Sequence, residues 1–132
     1  MGYSLDTNII IDLLDGNKEV SEKIEKLENE NKGFSITPIV LSELYKGAFL
    51  GNKKEETLLL IENFLKSVTL LRFEKEACKI FGEKYAELKK IGRITEESDL
   101  IIASICMTEN EILVTRNYKH FKNIKGLKVL AV

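Results

Sequence analysis

The stretch YSLDTNIIIDLL, residues 3–14, sets one carboxylate between two apolar runs. Tyr3 and Leu5 read as a short strand and Ile9 to Leu14 as the start of a helix. Asp6 therefore stands where a buried strand hands over to a helix. A carboxylate at that place can do two kinds of work. It can cap the helix by accepting from the free N–H groups of the first turn. It can also serve as an acid at the C-terminal end of a central strand, where open α/β sheets hold their ligands. Asp6 alone does not decide between the two.

Asp99 is the most informative residue in the chain. The helix that it opens is otherwise nearly apolar, running Leu100, Ile101, Ile102, Ala103, Ile105, Cys106, Met107. The positions three, four and seven further on are Ile102, Ala103 and Cys106, and these share its face. A carboxylate on a core-facing stripe must find a cation, a set of donors or a cleft, because an unpaired buried charge costs several kcal/mol. Complementing the helix N-terminus explains Asp99 less well, since Glu96 and Glu97 already supply that charge. Glu43 has a similar character in TPIVLSELYKG. It falls among Ile39, Val40 and Gly47, so it faces either a cleft or an exposed pairing with Lys46. Asn117 directly follows the apolar run ILVT, with Thr115, Arg116 and His120 in the same loop; a plain turn is its simplest use.

These residues acquire a common address once the elements are laid out. Strands are expected at Tyr3–Leu5, in GFSITP, in VTLLRF, in EILVT and in LKVLAV. Helices are expected between them: NKEVSEKIEKLENENKG closing at Asn31 and Gly33, PIVLSELYKGAFL capped by Thr37 with Pro38 at its first position, and NKKEETLLLIENFLKS. Two more follow. EKEACKIFGEKYAELKKIG carries Ala77, Ile80, Phe81, Tyr85 and Leu88 on one side, and TEESDLIIASICMTEN has Thr95 as its cap. Strands alternating with helices predict a three-layer α/β/α domain with a parallel sheet of about five strands. One Pro, no repeat and no low-complexity tract predict a single domain over residues 1–132.

In such a sheet Asp6 and Asn117 leave the C-terminal ends of strands, and Glu43 and Asp99 are expected in the first turns of helices that follow such ends. Three carboxylates meeting without a Lys or Arg to neutralise them repel one another and demand a cation. All-oxygen donors suit Mg²⁺ or Mn²⁺ rather than zinc or copper. A hard ion so held suits phosphodiester hydrolysis, because it lowers the pKa of a water and offsets charge on the phosphate.

The composition narrows the classes further. With 132 residues, 44% hydrophobic and 31% charged, the chain is long enough for a real core and is not disordered. No apolar run approaches the ~20 residues of a membrane span, and the start MGYSLDT has no basic n-region, which predicts a cytoplasmic protein. Cys78 and Cys106 stand alone and are expected as reduced core residues. His120 is the only histidine, which excludes a poly-histidine zinc site. The net charge of −1 hides an uneven spread: residues 1–30 hold eight acids against Lys18, Lys23 and Lys26, whereas 112–132 hold Arg116, Lys119, Lys122, Lys125 and Lys128 and no acid. That basic end is either a solvated face or a surface for a polyanion.

The stretches LDTNIIIDLL, PIVLSELYKGA, GRITEESDLIIAS and ILVTRNYKHF, in that order along the chain, resemble the motifs of PIN-domain ribonucleases, in particular the VapC toxins of toxin–antitoxin pairs. The resemblance covers essentially the whole chain. It implies a Mg²⁺- or Mn²⁺-dependent endoribonuclease that hydrolyses RNA with a metal-activated water, is usually dimeric, and is inhibited by a small antitoxin inserting a segment into the acidic site. Asp6, Glu43 and Asp99 match the three metal-holding acids. Thr7 matches a hydroxyl residue that orients the first acid. Asn117 falls where many members carry a fourth acid, which makes a second tightly held metal less certain, and Glu97 falls where some carry an extra one. Arg116 and nearby lysines are expected to hold flanking phosphates, with Thr115 beside them.

Two readings share this fold: an RNA-processing PIN nuclease without an antitoxin, and a PIN domain that binds RNA or a partner without cutting. Three retained acids argue against the second. A receiver-like signalling domain would want an Asp after the third strand, where VTLLRFEKE has none. A haloacid-dehalogenase-type phosphatase would want an acid two after Asp6, where Asn8 stands.

Overall fold

The computed structural model describes residues 1–93 and 95–132. Ile94, inside the third motif, lies outside the described residues. The chain order is β1 (Tyr3–Leu5), α1 (Thr7–Leu14), α2 (Lys18–Glu28), β2 (Phe34–Ile36), α3 (Pro38–Leu50), α4 (Lys54–Leu65), β3 (Thr69–Leu70), α5 (Lys75–Lys90), α6 (Glu97–Thr108), β4 (Ile112–Thr115), α7 (Tyr118–Phe121) and β5 (Val129–Ala131). The strands form one five-stranded sheet in the order β3-β2-β1-β4-β5, with every pairing parallel. This is the three-layer α/β/α architecture that alternating strands and helices predict. None of the described helices is long and apolar enough to cross a membrane.

Parallel strands need right-handed crossovers, and that rule explains how the helices are distributed. From β1 the chain steps outward to β2 and β3, so α1 to α4 gather together, with α1 against α2 and α3, and α3 against α4. It then returns across the sheet to β4, and α5, α6 and α7 form the other group, with α5 against α6 and α6 against α7. The direction of winding reverses between the neighbours β1 and β4. Such a reversal opens a crevice beyond the carboxyl ends of the strands; α3 and α6, from the two groups, are also in contact.

The core lies on both faces of β1 and β4. Leu5, Ile9, Ile10, Ile36, Val40, Ile102, Leu113 and Val114 are all essentially inaccessible. Helix α6 is the most enclosed element, with Leu100, Ile102, Ala103, Ser104, Ile105 and Cys106 buried. Its one buried hydroxyl, Ser104, donates to the Leu100 carbonyl at 2.7 Å, so no polar group is stranded there. Thr37 caps α3 as its sequence predicts, accepting from the Val40 N–H at 3.2 Å, and Pro38 opens the helix. Helix α2 stops at Glu28, and Asn31 (φ 56°) and Gly33 (φ 81°) then supply the left-handed backbone that leads into β2.

Several expectations need correction. Helix α6 is capped by Glu96, whose side chain makes no capping bond, rather than by Thr95; Glu97 and Asp99 in the first turn complement the helix end instead. On α5 the inward strip is Ala77, Phe81, Lys84 and Leu88, the last of them buried with Ala77, while Tyr85, one step around the helix, is 46% exposed. Cys78 is exposed for the same reason, one position past Ala77, and only Cys106 is a core thiol. The third strand shrinks to Thr69–Leu70, both exposed, because it is the sheet's edge and pairs on one side only. The loop after β4 contains a short helix, α7, that periodicity over four residues could not signal.

Candidate active site

Asp6 does both things its position allows. It is the N-cap of α1, with Oδ1 accepting from the Thr7 N–H at 2.9 Å. Its other oxygen, Oδ2, accepts from the Thr115 hydroxyl at 2.6 Å. The register explains the second contact: Leu5 pairs with Val114, so Asp6 leaves β1 beside the last residue of β4. The Asp6 N–H donates to the Val114 carbonyl at 3.0 Å, extending the ladder by one step. Asp6 is 5% exposed and Thr115 not at all. The Thr115 hydroxyl also accepts from the Asn117 N–H at 3.0 Å, so one buried oxygen joins Asp6 to the loop that begins α7.

Glu43 is the sixth residue of α3, in its second turn rather than the first, and it is half-buried. Its Oε1 accepts from the Thr7 hydroxyl at 2.7 Å, and Lys46 is not its partner among the described residues. Thr7 thus serves two acids: the backbone N–H holds Asp6, and the side chain holds Glu43. Glu43 also lines an apolar hollow of about 230 Å³ with Leu14, Leu44, Gly47 and Leu60.

Asp99 is the third residue of α6, which follows α5 directly and not a strand. Its side chain is 16% exposed and meets His120 of α7, whose Nδ1 lies 3.2 Å from Oδ2. An ionised carboxylate only accepts, so the ring nitrogen is the donor. Burial pushes the Asp99 carboxyl above its ordinary value; His120 works against the rise, and the charges of Asp6 and Glu96 add to it. Asp6 and Asp99 therefore lie close enough to repel.

The remaining residues of interest fall around this edge. Arg116 is ion-paired with Asp12 of α1. Asn117 is exposed at the start of α7 and its side chain makes no capping bond. Glu97 is exposed on α6. Among the described residues no three His, Cys, Asp or Glu side chains stand close enough to hold a metal ion as they are. The chemistry of the donor set still fits a hard divalent cation. The acids offer only carboxylate oxygens, and the mutual repulsion of Asp6 and Asp99 is what a cation between them would relieve. Sequence reasoning gave no role to His120 or Asp12. Asp12 did carry a signal, as the sole charge within the apolar run of α1.

The PIN domain model matches residues 3–127. Over 127 residues the chain is 35% identical to Ribonuclease VapC2 of Rickettsia felis, covering 96% of this chain and 95% of that protein. It is 32% identical over 127 residues to the tRNA(fMet)-specific endonuclease VapC of Shigella flexneri, with coverage of 96% and 94%. Among solved structures, VapBC2 of Rickettsia felis bound to a DNA fragment from its promoter contains a chain of similar fold. The TM-score there is 0.92 at 33% identity, covering 100% of this chain and 99% of that one. The chain belongs to the PIN-domain family, and within it to the VapC branch.

Proposed function

We propose that the protein is a Mg²⁺- or Mn²⁺-dependent endoribonuclease acting in the cytoplasm as the toxin of a toxin–antitoxin pair, as a homodimer restrained by a small protein antitoxin. The observation that carries this reading is the buried Asp6 carboxylate, fixed by the Thr7 N–H and the Thr115 hydroxyl at the point where the sheet reverses its winding. Glu43 and Asp99 reach the same edge from α3 and α6. Relatives named as ribonucleases support RNA as the substrate, and the VapBC2 complex supports a partner protein.

Asp6, Glu43 and Asp99 would hold the metal, with Asn117 and Glu97, which match further donor positions of the family, adding to the set. When bound, the ion supplies positive charge at the scissile phosphate and acidifies a water. The chain's own contribution is positioning. Thr115 and the Thr7 N–H aim Asp6 and leave it no freedom to rotate. The Thr7 hydroxyl fixes one oxygen of Glu43 from the residue that follows the first acid. His120 holds one oxygen of Asp99 at the rim of the polar hollow that the two share. Preorganised carboxylates avoid the reorganisation that mobile ones would need in the transition state.

The test is cleavage of a structured RNA by the pure protein with Mg²⁺ or Mn²⁺, with EDTA, and beside Asp6→Asn and Asp99→Asn. Metal-dependent cutting that drops by about 10²–10³-fold or more in either variant, with folding intact by thermal melt, is the expected outcome. Undiminished cutting by Asp99→Asn would overturn the acid-centred mechanism. No cutting with either metal would favour a binding role.

A further inference from the structure

Beside Asp99 the surface is hollow. A polar depression of about 200 Å³ is lined by Thr95, Glu96, Asp99, Lys119, His120 and Asn123. It shares Asn123 with a second hollow of about 230 Å³ under Lys90 and Lys125, between α5 and the loop after α7. It shares Thr95 and Glu96 with a third, of about 470 Å³, lined by Tyr85 and Arg93 at the end of α5. The second and third hollows meet at Leu88. The three hollows adjoin one another through these shared residues, the first of them beside Asp99.

Charge is sorted along it. Lys119, Lys125, Lys90 and Arg93 are exposed, and none forms an ion pair among the described residues. The acids present are Glu96 and Glu97 at the α6 side, next to Asp99, and Glu87, which is ion-paired with Lys84 at 3.1 Å. Arg116, next in the chain to Thr115, is already paired with Asp12. Tyr85 leaves an aromatic ring on the surface although its helix has an apolar side to put it on. Unpaired cations spaced along a groove, with an exposed ring beside them, are the chemistry that tracks a single-stranded nucleic acid.

We propose that the RNA strand leaves the acid site through this groove, its phosphates held by Lys119, Lys125, Lys90 and Arg93 and a base stacked on Tyr85. The proposal rests on the reading that the protein acts on RNA. Of the phosphate contacts expected of Arg116 and nearby lysines it keeps those of Lys119 and Lys125, leaves Arg116 to its pair with Asp12, and extends the contacts to the end of α5. These contacts fix the strand without reading its sequence.

The test uses a fluorescent twelve-nucleotide single-stranded RNA, its binding followed by anisotropy in EDTA at several salt concentrations, beside cleavage kinetics with Mn²⁺. The proteins are the wild type, Lys119→Gln/Lys125→Gln, Lys90→Gln/Arg93→Gln, Tyr85→Ala, and a control, Lys18→Gln/Lys26→Gln on α2. Each groove double variant is expected to weaken binding about tenfold or more and to lower the salt slope by about 1.4. Tyr85→Ala is expected to weaken it about fivefold or more. KM rises in step while kcat stays within about twofold, and the control binds and cuts as the wild type does. Cutting with unchanged KM and slope in the groove variants overturns the groove and leaves the nuclease reading standing. Groove-dependent binding without cutting under either metal does the reverse. Unchanged RNA binding together with loss of a dimer on size exclusion overturns the groove in favour of an interface between copies, and no RNA binding by the wild type overturns it outright.

Discussion

Asp6 and Asp99 stand at the same edge of the sheet and are held in opposite ways. Asp6 is enclosed, both oxygens are matched to donors, and its backbone continues the β1–β4 ladder. Asp99 sits in the first turn of α6, and among the described residues its carboxylate has one side-chain partner, an imidazole that is itself 51% exposed. The first acid is fixed by strand ends, which are set by sheet register. The third is aimed by its helix but electrostatically unsatisfied, and its carboxyl is pushed up by burial and by the negative charge nearby. One half of the site is finished by folding, and the other keeps a carboxyl whose charged form burial disfavours.

The contrast breaks most visibly at Thr115. Its hydroxyl is wholly buried and serves two groups, so Thr115→Val strands one Asp6 oxygen and the Asn117 N–H together. Leaving a buried polar group unmatched costs about 1–3 kcal/mol, and removing such a supporting contact typically costs 10–100-fold in metal affinity or activity. The variant should therefore melt lower and cut more slowly, and Thr115→Ser should recover both. His120→Ala, on the open side, should slow cutting with little change in the melt. If Thr115→Val melts and cuts as the wild type does, Asp6 is not held in the way described.

Much of this was legible in the sequence because its signals were local. Asp6 was visible as a charge at a strand-to-helix junction, Asp99 as a charge on an apolar stripe, and the parallel sheet as alternating elements. What was not legible depends on which elements become neighbours. The Thr115 contact follows from β1 pairing with β4, more than a hundred residues apart in the chain. The pairings of Arg116 with Asp12 and of His120 with Asp99 follow from the same return across the sheet. Thr7 was expected to steady the first acid as a hydroxyl residue; only its backbone N–H reaches Asp6, and the hydroxyl goes instead to Glu43, on a helix that sequence distance could not place. The burial of α5 was misread for a related reason. Its periodicity marked an apolar side, and only packing on α6 decides how wide a strip is covered.

A second prediction sharpens the difference between the two acids in the metal-free protein. The Asp99 carboxyl is raised in the fold, so the native state binds its proton more tightly than the unfolded chain does. Stability from this group is intact below the ordinary carboxylate range and falls as pH rises from that range through the raised value. At neutral pH the ionised group is a liability that Asn does not carry. In EDTA, Asp99→Asn should melt above the wild type at pH 7, with the gap closing as pH falls through the carboxylate range. Excess Mg²⁺ should stabilise the wild type and narrow the gap from the other direction, since a ligand that binds only the native state raises its stability. A variant that melts lower at pH 7 would mean that the His120 contact outweighs burial, and the two acids would then be held alike.

The smallest effect concerns how rigid the platform behind Asp99 is. Cys106 lies seven residues on, on the same face of α6, fully buried, with burial pushing its thiol up to about 12. Cys78 on α5 is exposed. A thiol reagent at pH 8 should therefore titrate one cysteine quickly in the native protein and the second only on denaturation, because the thiolate is the reacting species and access is required. Cys78→Ser should abolish the fast phase without changing the melt. Fast reaction of Cys106 in the folded protein would mean that α6 opens readily. The loose character of Asp99 would then belong to its helix, and the single exposed imidazole beside it would no longer explain it.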